Sequence, residues 1–166
     1  VMPKAAFHLN SNLGCTGQLV VVTTNTSTNA NSYQWEWGDG SPVSTLFNPT
    51  HPYTNVGTYQ LLLTASDGQC TDTVSQYVVV ANKPIANFYA DQVIACDTAS
   101  VRLINLSSNA DSYQWYISNG YTTTDPSPTV VLPPSNTLYT VTLVAYNAAG
   151  CKDSLIKANY IRSIIP

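Results

Sequence analysis

One stretch of this 166-residue chain occurs twice, and no other feature constrains its fold as tightly. Asn29-Ala30-Asn31-Ser32-Tyr33-Gln34-Trp35-Glu36-Trp37-Gly38-Asp39-Gly40 returns eighty residues later as Asn109-Ala110-Asp111-Ser112-Tyr113-Gln114-Trp115-Tyr116-Ile117-Ser118-Asn119-Gly120. The correspondence continues outside the motif, with Phe7 matching Phe88, Cys15 Cys96, Tyr59 Tyr139 and Cys70 Cys151. A period near eighty is too long for a solenoid repeat and suits a small complete domain. The chain therefore reads as two tandem domains, residues 1–83 and 84–166. With Pro166 standing about where a third copy would begin, it is expected to be an excerpt of a longer array.

Hydrophobic periodicity is two throughout. Leu19–Thr23, Ser32–Trp37, Thr58–Ala65 and Val74–Val80 are predicted strands rich in β-branched and aromatic residues, and so are 100–104, 113–117, 139–145 and 155–161. Gly, Pro, Asn and Asp clusters separate them, and no amphipathic helix is foreseen. About seven strands in about eighty residues, with a core Trp, predict an all-β fold of two immunoglobulin-like sandwiches. Only Asn82-Lys83-Pro84-Ile85 separates the units, too short and stiff for a flexible tether, so an end-to-end rod is expected.

The four cysteines allow three pairings. Cys15–Cys70 and Cys96–Cys151 have the same spacing, 55 positions, which predicts one bridge inside each unit. Each would contribute roughly 4 kcal/mol in the chain-entropy account.

Charge excludes several functions. Only 9% of residues are charged, the net charge is −3, and six Lys plus Arg cannot form the basic stripe that nucleic acid or an anionic membrane surface requires. No window approaches the roughly 18 apolar residues of a membrane span, so direct insertion is not expected. An N-terminal signal is not visible, so one serving export would lie outside this sequence.

Trp35-Glu36-Trp37-Gly38-Asp39-Gly40, then Asn48-Pro49-Thr50-His51-Pro52-Tyr53, then Gly57-Thr58-Tyr59, resemble the polycystic kidney disease (PKD) domain. That family carries W-x-F-G-D-G, P-x-H-x-Y and G-x-Y in this order. Unit two resembles it less: Ser118-Asn119-Gly120 replaces Gly-Asp-Gly, and Val131 and Pro133 stand near the places of His51 and Tyr53. Trp115, Tyr139 and the Cys pair still support the same fold there.

The motif also has a direct physical reading. Tyr33, Trp35 and Trp37 share one strand face, putting both indoles in the core while Gln34 and Glu36 face water. Gly38-Asp39-Gly40 then turns the chain, with Asp39 bonding local amides. As a calcium ligand Asp39 would need several further oxygens at about 2.3 to 2.6 Å, which scattered Asn residues supply poorly. His51 has no counterpart in unit two and no paired acid and base, so a bond across the loop or a stack on Trp is expected rather than catalysis. No enzyme, metal or cofactor is predicted.

Asp72-Thr73-Val74, Asp97-Thr98-Ala99 and Asp153-Ser154-Leu155 resemble the Asp-Ser/Thr-aliphatic sequence that Bacteroidota use for O-glycosylation, making Thr73, Thr98 and Ser154 candidate acceptors. A polar turn opening the last strand accounts for the same residues. Asn25-Thr26-Ser27 and Asn105-Leu106-Ser107 fit the N-glycan acceptor pattern. The expectation is a non-catalytic, extracellular spacer of a surface protein, similar to the repetitive adhesins and gliding-associated proteins of Bacteroidota. Its partners would be neighbouring domains of the same long chain, with surface glycans or other proteins also open. The alternatives are an accessory, carbohydrate-contacting module of a secreted hydrolase and a subunit of an extracellular filament.

Overall fold

In the computed structural model, residues 1–96 and 98–165 are described, and all regular structure among them is β. The chain divides into two compact units, Val1–Asn82 and Lys83–Pro166, one residue earlier than the repeat suggested.

Unit 1 contains β1 (Phe7–Leu9), β2 (Leu13–Cys15), β3 (Leu19–Asn25), β4 (Ser32–Glu36), β5 (Thr50–Tyr53), β6 (Gly57–Ser66) and β7 (Thr71–Ala81). One sheet has the order β1-β3-β5 and the facing one β2-β7-β6-β4. Alternation decides which residues go inside: Leu19, Val21 and Thr23 of β3, Leu61, Leu63 and Ala65 of β6, and Val78 and Val80 of β7 are buried. They close over Trp35, which has no exposed surface.

Unit 2 repeats the plan with β8 (Phe88–Ala90), β9 (Ile94–Cys96), β10 (Ala99–Asn105), β11 (Ser112–Ile117), β12 (Thr122–Thr123), β13 (Thr129–Leu132), β14 (Leu138–Tyr146) and β15 (Lys152–Ile164). Its sheets are β13-β10-β8 and β12-β11-β14-β15-β9. The pairing of β11 with β12 extends what is a single bridge, Trp35 with Ser44, in unit 1. Every strand expected from alternation forms; the short β1, β2, β5, β8, β9, β12 and β13, of two to four residues, are below the length at which alternation can be read.

The expected intra-unit bridges do not form. Cys70 and Cys96 are exposed free thiols, while Cys15 and Cys151 are the disulfide-bonded cysteines. Strand direction is the reason. β2 runs parallel to β7 with Cys15 opposite Ala81, the last residue of β7, whereas Cys70 immediately precedes Thr71, its first. Eleven residue steps separate the two by roughly 35 Å, when a disulfide needs Cα atoms within about 7 Å. In unit 2, Cys96 lies opposite Ile164 and Cys151 just before Lys152, at the two ends of the thirteen-residue β15. Equal spacing expressed the repeat, not proximity.

Each unit thus has two poles. At the leading pole the chain enters: Ala5 N–H donates to Asp72 Oδ2 in unit 1 and Ala86 N–H to Asp153 Oδ2 in unit 2, both at 2.8 Å. Cys70 and Cys151 sit at this pole, close in sequence to those carboxylates. At the trailing pole the chain leaves along β7 or β15, and there sit Cys15 and Cys96.

Candidate functional site

The residues of the repeated motif converge in unit 1 on one aromatic column. Phe7 meets Trp35 edge-on at 5.2 Å between centroids, and Trp35 stacks on Trp37 at 6.4 Å. Trp37 stacks on the His51 ring at 4.4 Å and 10°, His51 meets Tyr53 edge-on at 4.8 Å, and Tyr53 stacks on Tyr59 at 4.9 Å. Period-two alternation puts Trp35 on the inner face of β4, Trp37 is buried one residue past the strand's end, and His51 and Tyr53 lie on the inner face of β5. Three polar groups of the column donate to backbone carbonyls. Trp35 Nε1–H donates to Leu46 O at 2.9 Å, Tyr53 O–H to Trp37 O at 2.7 Å, and Tyr59 O–H to Asn55 O at 2.9 Å.

Gly38-Asp39-Gly40 caps this column. Both glycines have positive φ, 78° and 84°. Gly38 additionally lies so close to β6 that a Cβ there would stand 2.6 Å from the Gln60 carbonyl oxygen. This fold of the turn brings Asp39 Oδ2 to 2.8 Å from His51 Nε2, while Asp39 Oδ1 accepts from Ser41 N–H at 3.0 Å. The two side chains are 16% and 11% exposed. Burial pushes the Asp39 carboxyl upward, but the bonds from His51 and Ser41 outweigh it and hold the group below its ordinary value. Burial drives the Tyr53 phenol well above its ordinary value, with the Asp39 charge and Tyr59 adding to the shift.

Asp39 Oδ1 is engaged within the turn and Oδ2 by His51 of β5, and among the described residues no group of three or more His, Cys, Asp or Glu could hold a metal ion. His51 is locked between an indole and a carboxylate.

Unit 2 answers the same positions apolarly. Trp115 is fully buried, meets Phe88 edge-on at 5.0 Å and donates from Nε1 to Asp125 O at 2.9 Å. Ile117 takes the place of Trp37. Strand register corrects the sequence alignment by one residue: His51 lies opposite Val21, and in unit 2 the residue opposite Val101 is Val130, with Leu132 rather than Pro133 in the place of Tyr53. Ser118 replaces Gly38 and bonds both ways to Thr140, its N–H donating to the carbonyl and its Oγ accepting from the N–H. Asn119 Oδ1 accepts from Tyr121 N–H at 3.0 Å, keeping the turn that Asp39 makes. Tyr139 bonds Ser135 through its hydroxyl at 3.0 Å. Lys157 donates to Phe88 O and lies over the Phe88 and Tyr160 rings at 4.8 and 4.6 Å, a cation–π contact with no counterpart in unit 1.

Thr73, Thr98 and Ser154 are exposed. The carboxylates before Thr73 and Ser154 have a structural duty, since they hold the entering chain; Asp97, before Thr98, lies outside the described residues. Asn25 is buried and its Oδ1 accepts from Ser27 N–H, which removes it from a glycosylating enzyme's reach in the folded unit. Two repeated features carried no sequence expectation. Asn29 and Asn109 occupy the left-handed region, at φ 58° and 55°, where Asn is tolerated. Tyr33 and Tyr113 donate to the carbonyls of Ala30 and Ala110. The identical Asn-Ala-x-Ser-Tyr spacing was the available signal.

Residues 1–82 match the PKD domain family. No curated protein matches the chain. The PKD1 domain of the Vibrio cholerae metalloprotease PrtV is 35% identical over 48% of this chain and 98% of its own, with a TM-score of 0.41. Two multidomain structures share the fold at low identity. The titin I-band fragment I67–I69 aligns with 99% of this chain and 66% of its own at 14% identity, TM-score 0.60. The C-terminal 282-residue fragment of intimin, solved with the intimin-binding domain of its translocated receptor, aligns with 93% and 64% at 10% identity, TM-score 0.61.

Proposed function

With residues 1–82 a member of the PKD domain family, we propose that this chain is a non-catalytic, load-bearing spacer of an extracellular surface protein, of the repetitive adhesin type found in Bacteroidota. The parallel pairing of a leading strand with the last strand in both units carries the reading. β2 runs alongside β7, with Val79 N–H donating to Asn12 O and Thr16 N–H to Ala81 O, and β9 alongside β15, with Arg162 N–H donating to Val93 O. In unit 1 the chain enters at the Asp72 pole and leaves past Ala81, at the other end of β7. Tension between the ends therefore pulls β2 and β7 along their lengths in opposite senses, loading these hydrogen bonds together in shear rather than one after another. The three Trp are buried, leaving no exposed indole for sugar stacking.

Single-molecule stretching through the termini tests this. With the disulfide-bonded Cys15 and Cys151 first reduced, two resolved force peaks are expected, each followed by an extension of about 290 Å for some eighty residues at about 3.6 Å each. Val79→Pro, which removes the donor to Asn12, should lower one peak and leave the other; Thr16→Val, which removes the Oγ1–H donor to Ala81 O at 2.8 Å, serves if the proline variant does not fold. Extension without resolved peaks would end the load-bearing reading. Hydrolysis of a polysaccharide or peptide, abolished by His51→Ala, would turn the assignment toward a secreted hydrolase.

A further inference from the structure

The four cysteines split evenly, and the split does not follow their positions in the repeat. Cys70 and Cys151 occupy the same place in the fold. Each closes the turn before the last strand, donating its N–H to Asp67 Oδ1 at 2.8 Å or Asn147 Oδ1 at 3.0 Å. The carbonyl of each accepts from the N–H of that same turn residue. Cys15 and Cys96 are likewise equivalent, at the trailing end of β2 and β9. Yet Cys151 and Cys15 are disulfide-bonded, whereas their counterparts Cys70 and Cys96 are exposed thiols. Each free thiol therefore stands where the other unit carries a bonded sulfur. The bonded cysteines are one of the leading kind and one of the trailing kind.

We propose that Cys70 and Cys96 are bridging sites for further units of this same repeat: Cys70 forms a disulfide with a trailing-pole cysteine, and Cys96 with a leading-pole cysteine. The further unit belongs either to a longer chain or to a second copy, and the thiol chemistry is the same for both. Because the two poles differ, the contact is heterologous, head to tail, and does not close on itself. An oxidant of the disulfide class drives the step. The Cys70 thiolate attacks one sulfur of glutathione disulfide and releases one glutathione thiol; the trailing-pole thiolate then attacks the Cys70 sulfur and releases the second. Two protein thiols lose two electrons and two protons, and one glutathione disulfide becomes two glutathione thiols. The proposal rests on the array reading above. Its failure would be distinguishable, because stretching reports on the strands inside one chain and needs neither thiol.

Cys70→Ser and Cys96→Ser chains, shown by thermal melting to be folded, are incubated separately and mixed in oxidising glutathione buffer, and the products are mapped without reduction. Separately each should stay monomeric. Mixed, they should give a dimer joined Cys96 to Cys70, at least about tenfold over either homodimer, as expected for a directed encounter rather than random exchange. A second arm uses the chain followed by another copy of residues 1–82, in which Cys96 should close on the appended counterpart of Cys70 independently of concentration. Closure in the second arm alone assigns the bridge to the next unit of one chain, and dimers in the first alone assign it to a second copy. Glutathione adducts alone in both arms, or a statistical mixture of dimers, would overturn the proposal.

Discussion

The two units solve one packing problem with different chemistry. Both bury a Trp whose Nε1 donates to a loop carbonyl, at Leu46 in unit 1 and Asp125 in unit 2. Beyond that Trp, unit 1 continues with an aromatic and ionic column, Trp37, His51 and Asp39, and unit 2 with Ile117 and Val130. The column is not what makes the sandwich fold, since unit 2 folds without it. It adds a pH-dependent and geometrically demanding layer that depends on Gly38, because only a residue without Cβ tolerates both the positive φ and the approach to Gln60.

Substitutions that exchange the two solutions should measure the difference. Trp35→Ala and Trp115→Ala remove what the units share and should have the largest effect, about 3–5 kcal/mol each, read as loss of one thermal transition. If either variant kept its melting temperature, its Trp would not be the keystone that its burial indicates. Gly38→Ser installs the residue of unit 2 in unit 1. Left-handed strain and a Cβ at 2.6 Å from Gln60 O should together cost about 2–4 kcal/mol, whereas Ser118→Gly, losing its bond with Thr140, should cost about 1 kcal/mol. Equal costs would mean that the two turns are interchangeable.

Asp39→Asn weakens a partly buried charge-assisted bond and should cost unit 1 about 1–2 kcal/mol near neutral pH. The same carboxylate sets an acid dependence. Its folded pKa lies below the ordinary value of about 4, so the stability it contributes is present above that pH and is lost as pH falls through the folded pKa. Melting followed from pH 6 to about 2 should show unit 1 losing a component that Asp39→Asn abolishes; an unchanged profile in the variant would assign the acid loss to other carboxylates. The smallest expected effect on stability is at the thiols. Without reduction, iodoacetamide should label Cys70 and Cys96 and spare Cys15 and Cys151, leaving both melting transitions in place.

Much of this was open to a reader of the sequence. Alternation in 58–65 and 139–145 names the inward residues, because a half-buried strand has only two faces and Leu61, Leu63, Val141 and Leu143 all fall on one. The Trp positions followed from the same parity. The partners of His51 were less accessible: a bond across the loop and a stack on Trp were both chemically sound, and β5 is too short for its register to be fixed by pattern. The one-residue displacement of Val130 and Leu132 has the same origin, since only pairing with Val101 and Ala99 shows which residues face inward.

The sequence by itself determined the tandem repeat, the β-sandwich class, the Trp-centred cores and the polar turns, all of which depend on neighbours within a strand or on composition over a few residues. Tertiary structure alone decided the fate of the cysteines. Spacing along a chain carries no direction in space. Cys15 and Cys70 are the same 55 positions apart whether β2 ends beside the first residue of β7 or beside its last. The parallel register with Ala81 selects the last, setting the two sulfurs at opposite poles and leaving Cys70 and Cys96 as free thiols.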